Sequence, residues 1–175
     1  MHFSTLTLLF ALTATTLSAP TSNTNLAHSV KRALTAKSYN DFSVSSGVAG
    51  SALAEVNANF PVGSDLSAVS ASDLAIISDA AQVSEQAEVA TGGFNDAIEA
   101  AGGQGTTEGK ALQVGKIKNK VLKLQTDVLR LQIQAAQGKA GLEDQIATQQ
   151  KKLDTNVALD VAAKGQTAKA IDFAG

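Results

Sequence analysis

The sequence predicts an all-α fold, an antiparallel bundle of about four helices with a long central third helix. After Tyr39, apolar residues recur three and four positions apart in almost every segment, whereas the alternation typical of strands is nowhere sustained. The segments between these periodic stretches are short and rich in glycine. Short connections place consecutive helices side by side in opposite directions, which gives a bundle.

Two predicted helices lie in the first half of this region. Helix A is expected over residues 41–60, with its end at Pro61. Helix B is expected to follow the serine and aspartate residues within 70–73, which supply N-cap oxygens, and to stop at the glycine pair 92–93. Its predicted apolar stripe consists of Ile76, Ala80, Val83, Ala87 and Ala90, with Leu74 and Ile77 at the flanks.

The longest predicted helix, C, begins after a cap at Thr106 or Thr107 and runs to about residue 137. At about 1.5 Å per residue it would extend roughly 45 Å. Helix D follows a tight connection bracketed by Gly138 and Gly141 and continues to about Ala163. The seam of helix C, at spacings of three and four, is formed by Val114, Ile117, Val121, Leu124, Val128 and Leu131.

Helix C also carries a second apolar stripe, Leu122, Leu129 and Ile133, outside that seam. One interpretation is that helix C is central and is covered on more than one side. The other is an apolar ligand site between helices B and C, formed by Ile77, Leu122, Leu129 and Ile133, which would bind a lipid or a partner helix. Both interpretations fit the spacing.

The N-terminal 32 residues differ from the rest of the chain. Residues 3–17 form an apolar run of the length found in secretory signal peptides, and small residues follow it. The run is too short and too interrupted to span a membrane. We therefore expect a signal peptide over residues 1–19 and no transmembrane segment.

Residues 20–32 are expected to be a pro-segment that ends in a dibasic cleavage site, Lys31 and Arg32. The stretch before this pair has no charged residue except a titratable histidine and shows no periodicity, as in an unfolded segment. A basic pair in an extended segment fits the acidic pockets of a subtilisin-like processing protease, although two solvated charges in a linker would look the same. Cleavage would leave residues 33–175 as a single secreted domain.

The composition of residues 33–175 excludes most catalytic chemistry. This region contains no Cys, His, Met or Trp, so thiol and imidazole catalysis, the usual zinc ligands and haem ligation are not available. Carboxylate pairs such as Glu85 with Glu88 fit ordinary helix positions. We expect a protein that is not an enzyme and has no catalytic residues, no metal site and no cofactor.

Charge is distributed unevenly along the chain. Residues 33–108 contain one lysine and ten acidic residues, whereas residues 109–175 contain eleven basic and six acidic ones. We therefore expect the acidic helices A and B to pack against the basic helices C and D. Without interleaved aromatics, a lysine cluster off the apolar seam does not indicate nucleic-acid binding. This cluster, which we expect to be solvated, is Lys116, Lys118, Lys120 and Lys123.

Four segments, "ALAEVNANFP", "SASDLAIISDA", "GGFNDAIEAAGG" and "ALQVGKIKNKVLKLQTDVLRLQIQAAQGK", resemble cysteine-free small secreted proteins of filamentous ascomycete fungi. That resemblance implies secretion and a candidate effector role, and it transfers no site residues. The chain also resembles, more weakly, the fungal hydrophobic-surface-binding and cell-wall galactomannoprotein family. That second resemblance implies binding of lipids or apolar surfaces.

Two functions are therefore expected from the sequence. The first is a secreted, extracellular, non-enzymatic helical protein that binds a protein of a host or neighbouring organism, as a virulence-associated effector. The alternative is an extracellular protein that binds a lipid or a hydrophobic surface. Neither needs a nucleic-acid partner.

Overall fold

The computed structural model describes residues 33–174. The predicted signal peptide, the pro-segment and the Lys31–Arg32 pair lie outside the described residues. The structure is mostly helical, at 64% helix, with one short antiparallel strand pair. Among the helices of residues 33–174, none is long and apolar enough to cross a membrane.

The helices and strands follow one another along the chain with short connections. β1 and β2 pair antiparallel, with Gly47 opposite Ala168 and Val48 opposite Thr167. The elements in chain order are α1 (Tyr39–Phe42), β1 (Gly47–Val48), α2 (Ala52–Asn59), a 3₁₀ turn (Leu66–Ala68), α3 (Ala71–Val89), α4 (Phe94–Ala100), α5 (Thr107–Ala136), α6 (Glu143–Ala162) and β2 (Thr167–Ala168).

The long helix α5 is the element against which most others pack. It contains 30 residues, and it contacts α2, α3, α4, α6 and β2. The hydroxyl of Thr106 accepts a hydrogen bond from the Gly109 N–H at 2.9 Å, which confirms the predicted cap. The main core cluster lies along the buried face of α5 and includes Val121, Leu122, Leu124, Val128, Leu129 and Ile133.

Helices α3 and α6 both run antiparallel to α5. At one end of α3, the Asn119 side chain donates to the Ser84 carbonyl at 2.8 Å. At the other end, Gln137 beyond the end of α5 donates to the carbonyl of Val69, just before α3. For α6, Ala163 packs near Val114 at the start of α5, in a second core cluster.

The prediction of one continuous helix A is wrong. Residues 43–51 interrupt it, and they contain β1 and two glycines with positive φ, Gly47 at +80° and Gly50 at +112°. Such φ values lie outside the helical region and suit glycine. The carboxylate of Asp160 then accepts hydrogen bonds from the backbone N–H groups of Gly50 and Ala52, at 3.0 and 2.9 Å, and so starts α2.

The predicted start of helix B is confirmed, because the Ser70 side chain accepts from the Asp73 N–H at 3.0 Å. Its buried face is rotated from the predicted stripe. Ile76 and Val83 are only partly buried, since the face against α5 also includes polar residues that pair across the interface. The buried residues of α3 are Asp73, Ile77, Ala80, Ala81, Ser84, Ala87 and Glu88.

The expected packing of acidic against basic helices is confirmed between α3 and α5. Glu88 lies 3.0 Å from the Lys120 ammonium and within 4 Å of Lys116 and Lys123. The expectation that all four lysines of the cluster are solvated is wrong for Lys118, which is 1% exposed. Its ammonium donates to the carbonyls of Ser46 and Val48 and pairs with a carboxylate of α2, so burial leaves the charge fully compensated.

The segment after α6 forms structure that the sequence did not predict. It supplies β2, and the Lys169 N–H then donates to the Ala111 carbonyl of α5 at 2.9 Å. Further along, Phe173 packs edge-to-face on Tyr39 of α1, with ring centroids 5.9 Å apart. Segments near the two ends of the described chain are therefore in contact.

Candidate binding cavity

The four residues predicted for an apolar ligand site are brought together, but as part of the core. Ile77, Leu122, Leu129 and Ile133 all belong to the main core cluster and are buried. They do not line the apolar cavity described below. An apolar ligand site at these four residues stays a prediction, and a ligand there would have to displace packed side chains.

An apolar cavity of about 260 Å³ opens instead at the edge of the main core cluster, along the partly buried face of α3. Its volume is slightly below the roughly 300–1,000 Å³ typical of small-molecule sites. The cavity lies between the N-terminal segment of the described chain, α1, the end of α2 and the partly buried face of α3. It is lined by Leu34, Thr35, Ala36, Lys37, Ser38, Tyr39, Phe42, Asn59, Phe60, Ile76, Asp79, Ala80, Val83 and Ala174.

Aromatic rings hold one wall of this cavity in place. Phe42 packs edge-to-face against Tyr39 and Phe60, with ring centroids 5.7 and 5.5 Å apart. The Tyr39 hydroxyl donates to the Asn119 side-chain oxygen of α5 at 2.8 Å. These contacts fix the rings before any ligand arrives, because the three rings pack on one another and Tyr39 is also bonded to Asn119 outside the cavity.

Burial raises the pKa of the Tyr39 hydroxyl above its ordinary value of 10.0, and the nearby Ser43 and Ser45 hydroxyls oppose that rise. The phenol is therefore neutral at physiological pH and acts as a hydrogen-bond donor to Asn119. This tyrosine serves as a structural anchor for the wall.

A second wall of the cavity is formed by residues 34–38, which have no regular secondary structure. It is attached to α3 by one long-range hydrogen bond, in which the Leu34 N–H donates to the Asp73 carboxylate at 2.9 Å. At its other end the Ser38 hydroxyl donates to Asp41 in α1. The wall is therefore held by these hydrogen bonds and by the packing of Leu34 against the main core cluster.

The rim of the cavity is polar and carries both signs of charge. Lys37 and Asp79 are exposed there, one on the N-terminal segment and one on α3. Asn59 also lies at the rim, and its amide donates to the Phe42 carbonyl at 2.8 Å. An apolar interior with a mixed rim suits a small, mainly apolar molecule whose polar end stays in water.

A larger depression of about 620 Å³ lies over α5 between α3 and α6, and it is lined mostly by charged and amide side chains. Two of its three cations already have partners, since Lys123 pairs with Glu85 and Arg130 pairs with Asp127. Ligand binding there would compete with existing ion pairs, whereas the apolar cavity offers unfilled surface. In residues 33–174, no group of three or more acidic, histidine or cysteine side chains is placed to hold a metal ion.

Sequence reasoning missed most of the cavity. Ile76, Ala80 and Val83 were included in the stripe of helix B, but that stripe was expected to face the core. The useful signal was the scarcity of aromatic residues after position 32, where four of only five contact one another in one cluster. Those four are Tyr39, Phe42, Phe60 and Phe173.

One comparison with known proteins gave a match. The family model described as a domain of unknown function, DUF8454, matches residues 34–172 of the chain. The curated proteins contain no match, and neither do the solved structures. The matched range covers every element from α1 to β2 and nearly all of the cavity wall.

Proposed function

The chain belongs to the domain-of-unknown-function family DUF8454, and since that membership assigns no activity, we propose a function from the residues themselves. The chain is a secreted, extracellular, non-enzymatic helical protein that acts by binding. Its ligand in this proposal is a small apolar molecule, such as a lipid chain, held in the cavity between residues 34–38, α1 and α3. The signal-like N-terminus and the weaker fungal resemblance support the extracellular setting.

The observation that carries this proposal is a preformed apolar cavity in a domain that has no disulfide to hold it open. Packing of the edge-to-face rings of Tyr39, Phe42 and Phe60, together with hydrogen bonds of the walls, maintains the cavity. Because the cavity opens to solvent, its apolar lining is in contact with water. A bound apolar ligand would remove that apolar surface from water, which is favourable.

Filling the cavity tests the proposal. Val83→Phe places a larger apolar side chain at the cavity wall, and we expect it to weaken binding of the fluorophore N-phenyl-1-naphthylamine by about tenfold, or about 1.4 kcal/mol. Val89→Phe is the matched control, since Val89 lies on the same helix, outside the cavity, and is 56% exposed. Equal binding by both variants and the parent protein, measured by fluorescence titration of residues 33–175, would contradict the proposal.

A second proposed function is that of a virulence-associated effector that binds a protein of a host or neighbouring organism. The resemblance to small secreted fungal proteins supports it, and so do apolar side chains that stay about half exposed, among them Val48, Leu159 and Val161. Delivery of folded residues 33–175 to host tissue is expected to change immune signalling or cell death. Absence of any response in several hosts, with folding verified by circular dichroism, would count against this role.

For the architecture we propose an antiparallel bundle of about four helices, made of α2, α3, α5 and α6, with α5 at its centre. The antiparallel courses of α3 and α6 along α5 support this arrangement. The charge complementarity of α3 and α5 supports it as well.

A further inference from the structure

Asp73 differs from the other buried acidic residues in its partners. It is 5% exposed, yet no lysine or arginine of residues 33–174 lies within ion-pair distance of it. Glu88, by comparison, has three lysines around it, and Asp160 accepts two backbone N–H groups at the start of α2. A buried carboxylate is normally compensated by a cation or by several donors.

The position of Asp73 in α3 explains part of its environment. It lies in the first turn, where a negative charge interacts favourably with the helix N-terminus. That effect favours an acidic residue at this position, whether its carboxylate is exposed or partly buried. It does not explain why the carboxylate is covered by the N-terminal segment and accepts the Leu34 N–H at 2.9 Å.

The residue next to that hydrogen bond is Ala33, at which cleavage after Arg32 would start the mature chain. Nitrogen atoms of consecutive residues lie at most about 3.7 Å apart, so the Ala33 nitrogen lies within about 6.6 Å of the Asp73 oxygen that binds Leu34. Ala33 is exposed. A charged group on its nitrogen could therefore be hydrated and still interact with the carboxylate.

We propose that proteolytic cleavage of the Arg32–Ala33 bond creates an α-ammonium group on Ala33 that pairs with the Asp73 carboxylate and docks the new N-terminus on α3. Hydrolysis adds one water molecule across the peptide bond, so the carboxylate leaves with Arg32 and the amine remains on Ala33. An exposed α-amine has a pKa of about 7.7–8.0 and is largely protonated below that pH. Before cleavage, the same nitrogen is an uncharged amide.

Docking would complete the cavity as well as the charge pair. Residues 34–38 form one wall, and the bond from Leu34 to Asp73 is their long-range attachment to α3. A second contact one residue earlier would restrict the motion of this wall and favour the closed cavity. This link to ligand binding rests on the proposed function, whereas the docking of the N-terminus does not.

The experiment uses the chain from Pro20 onward, before and after cleavage by a protease specific for Lys-Arg, a sequence that occurs in the chain only at residues 31–32. We measure the melting temperature and the affinity for N-phenyl-1-naphthylamine in both forms. Cleavage is expected to raise the melting temperature by about 3 °C and the affinity by about threefold, or about 0.65 kcal/mol. Asp73→Asn should abolish both increases, because it keeps an acceptor for Leu34 but removes the charge.

Two further variants control this comparison. Glu85→Gln removes an exposed carboxylate of the same helix outside the cavity and should keep the full increase on cleavage. Asp73→Glu retains the charge and should restore part of the increase. If Asp73→Asn does not fold, Nα-acetylation of Ala33 in the cleaved parent protein removes the positive charge instead, and it should lower the melting temperature to that of the uncleaved form.

The outcomes separate this proposal from the proposed function. The docking would be overturned if cleavage raised the melting temperature of Asp73→Asn, or of the acetylated protein, by the full amount. It would also be overturned if cleavage left the melting temperature of the parent protein unchanged. If cleavage raises the melting temperature through Asp73 but leaves the affinity for the fluorophore unchanged, the link to the cavity is overturned. If no form of the protein binds the fluorophore, that result counts against the proposed function alone.

Discussion

Gly115 lies in the middle of α5, where alanine would ordinarily stabilise a helix better. A Cβ at this position would lie 2.1 Å from the carbonyl oxygen of Lys169 and 2.9 Å from that of Ser45. Both the segment after α6 and the connection between α1 and α2 therefore approach the bare surface of the helix here. Because Gly115 has no side chain, these two distant backbone segments can both contact the helix at this point.

We predict that Gly115→Ala lowers the free energy of unfolding by about 1–3 kcal/mol, because the two carbonyls must move away from α5. Urea unfolding followed by circular dichroism measures this change. Gly105→Ala is the control, since no atom lies within 4 Å of the added Cβ and its φ is not positive, and it should change stability by less than about 0.5 kcal/mol. Equal stability of both variants and the parent protein would contradict the close approach.

The connection between α1 and α2 is the element that helical periodicity predicted least well. Its short strand β1 pairs with β2, about 120 residues later, so nothing in the local sequence indicates the partner. The glycines of this connection were visible, but a helix tolerates glycine, and their positive φ became evident only in the structure. Lys118 also looked like an ordinary solvated helix position, because the two carbonyls that it binds come from about 70 residues earlier.

We predict that Lys118→Met destabilises the protein by about 1–3 kcal/mol, since the carbonyls of Ser46 and Val48 lose a buried donor. Amide hydrogen exchange at Gly47 and Val48 should become faster. Lys120→Met should cost less than about 1 kcal/mol, because Lys120 is 34% exposed and Glu88 keeps two other lysines nearby. Similar losses in both variants would show that Lys118 has no special structural role.

For the whole molecule, the sequence predicted the helical class, the long helix α5 and the attraction between the acidic first half and the basic second half of residues 33–175. Those features follow from composition and from regular spacing, which act over one element or over half the chain. It did not predict which side of α3 faces the core. That choice depends on Ser84 and Glu88, polar residues that are buried because α5 presents Asn119 and lysines opposite them. Rotation of α3 by this pairing leaves Ile76 and Val83 at the cavity.

The two interpretations of the second stripe on α5 can be separated by the stability of the whole domain. Replacing Leu122 and Leu129 together by Ser should lower the free energy of unfolding by several kcal/mol, because both side chains belong to the main core cluster. Leu159→Ser, at a 47% exposed position of α6, should have little effect. Nearly unchanged stability of the double variant, measured by urea unfolding, would instead favour a ligand site at these residues.

The pairing of β1 with β2, and of Tyr39 with Phe173, has a consequence for the time course of folding. These contacts join residues more than 115 positions apart, and closing so long a loop costs more entropy than the turns between neighbouring helices. The helices around α5 are joined by short connections and can assemble earlier. The contact of Phe173 with Tyr39, by contrast, needs the last residues of the chain, so we infer a late and comparatively slow folding phase in which this contact and the pairing of β1 with β2 form last.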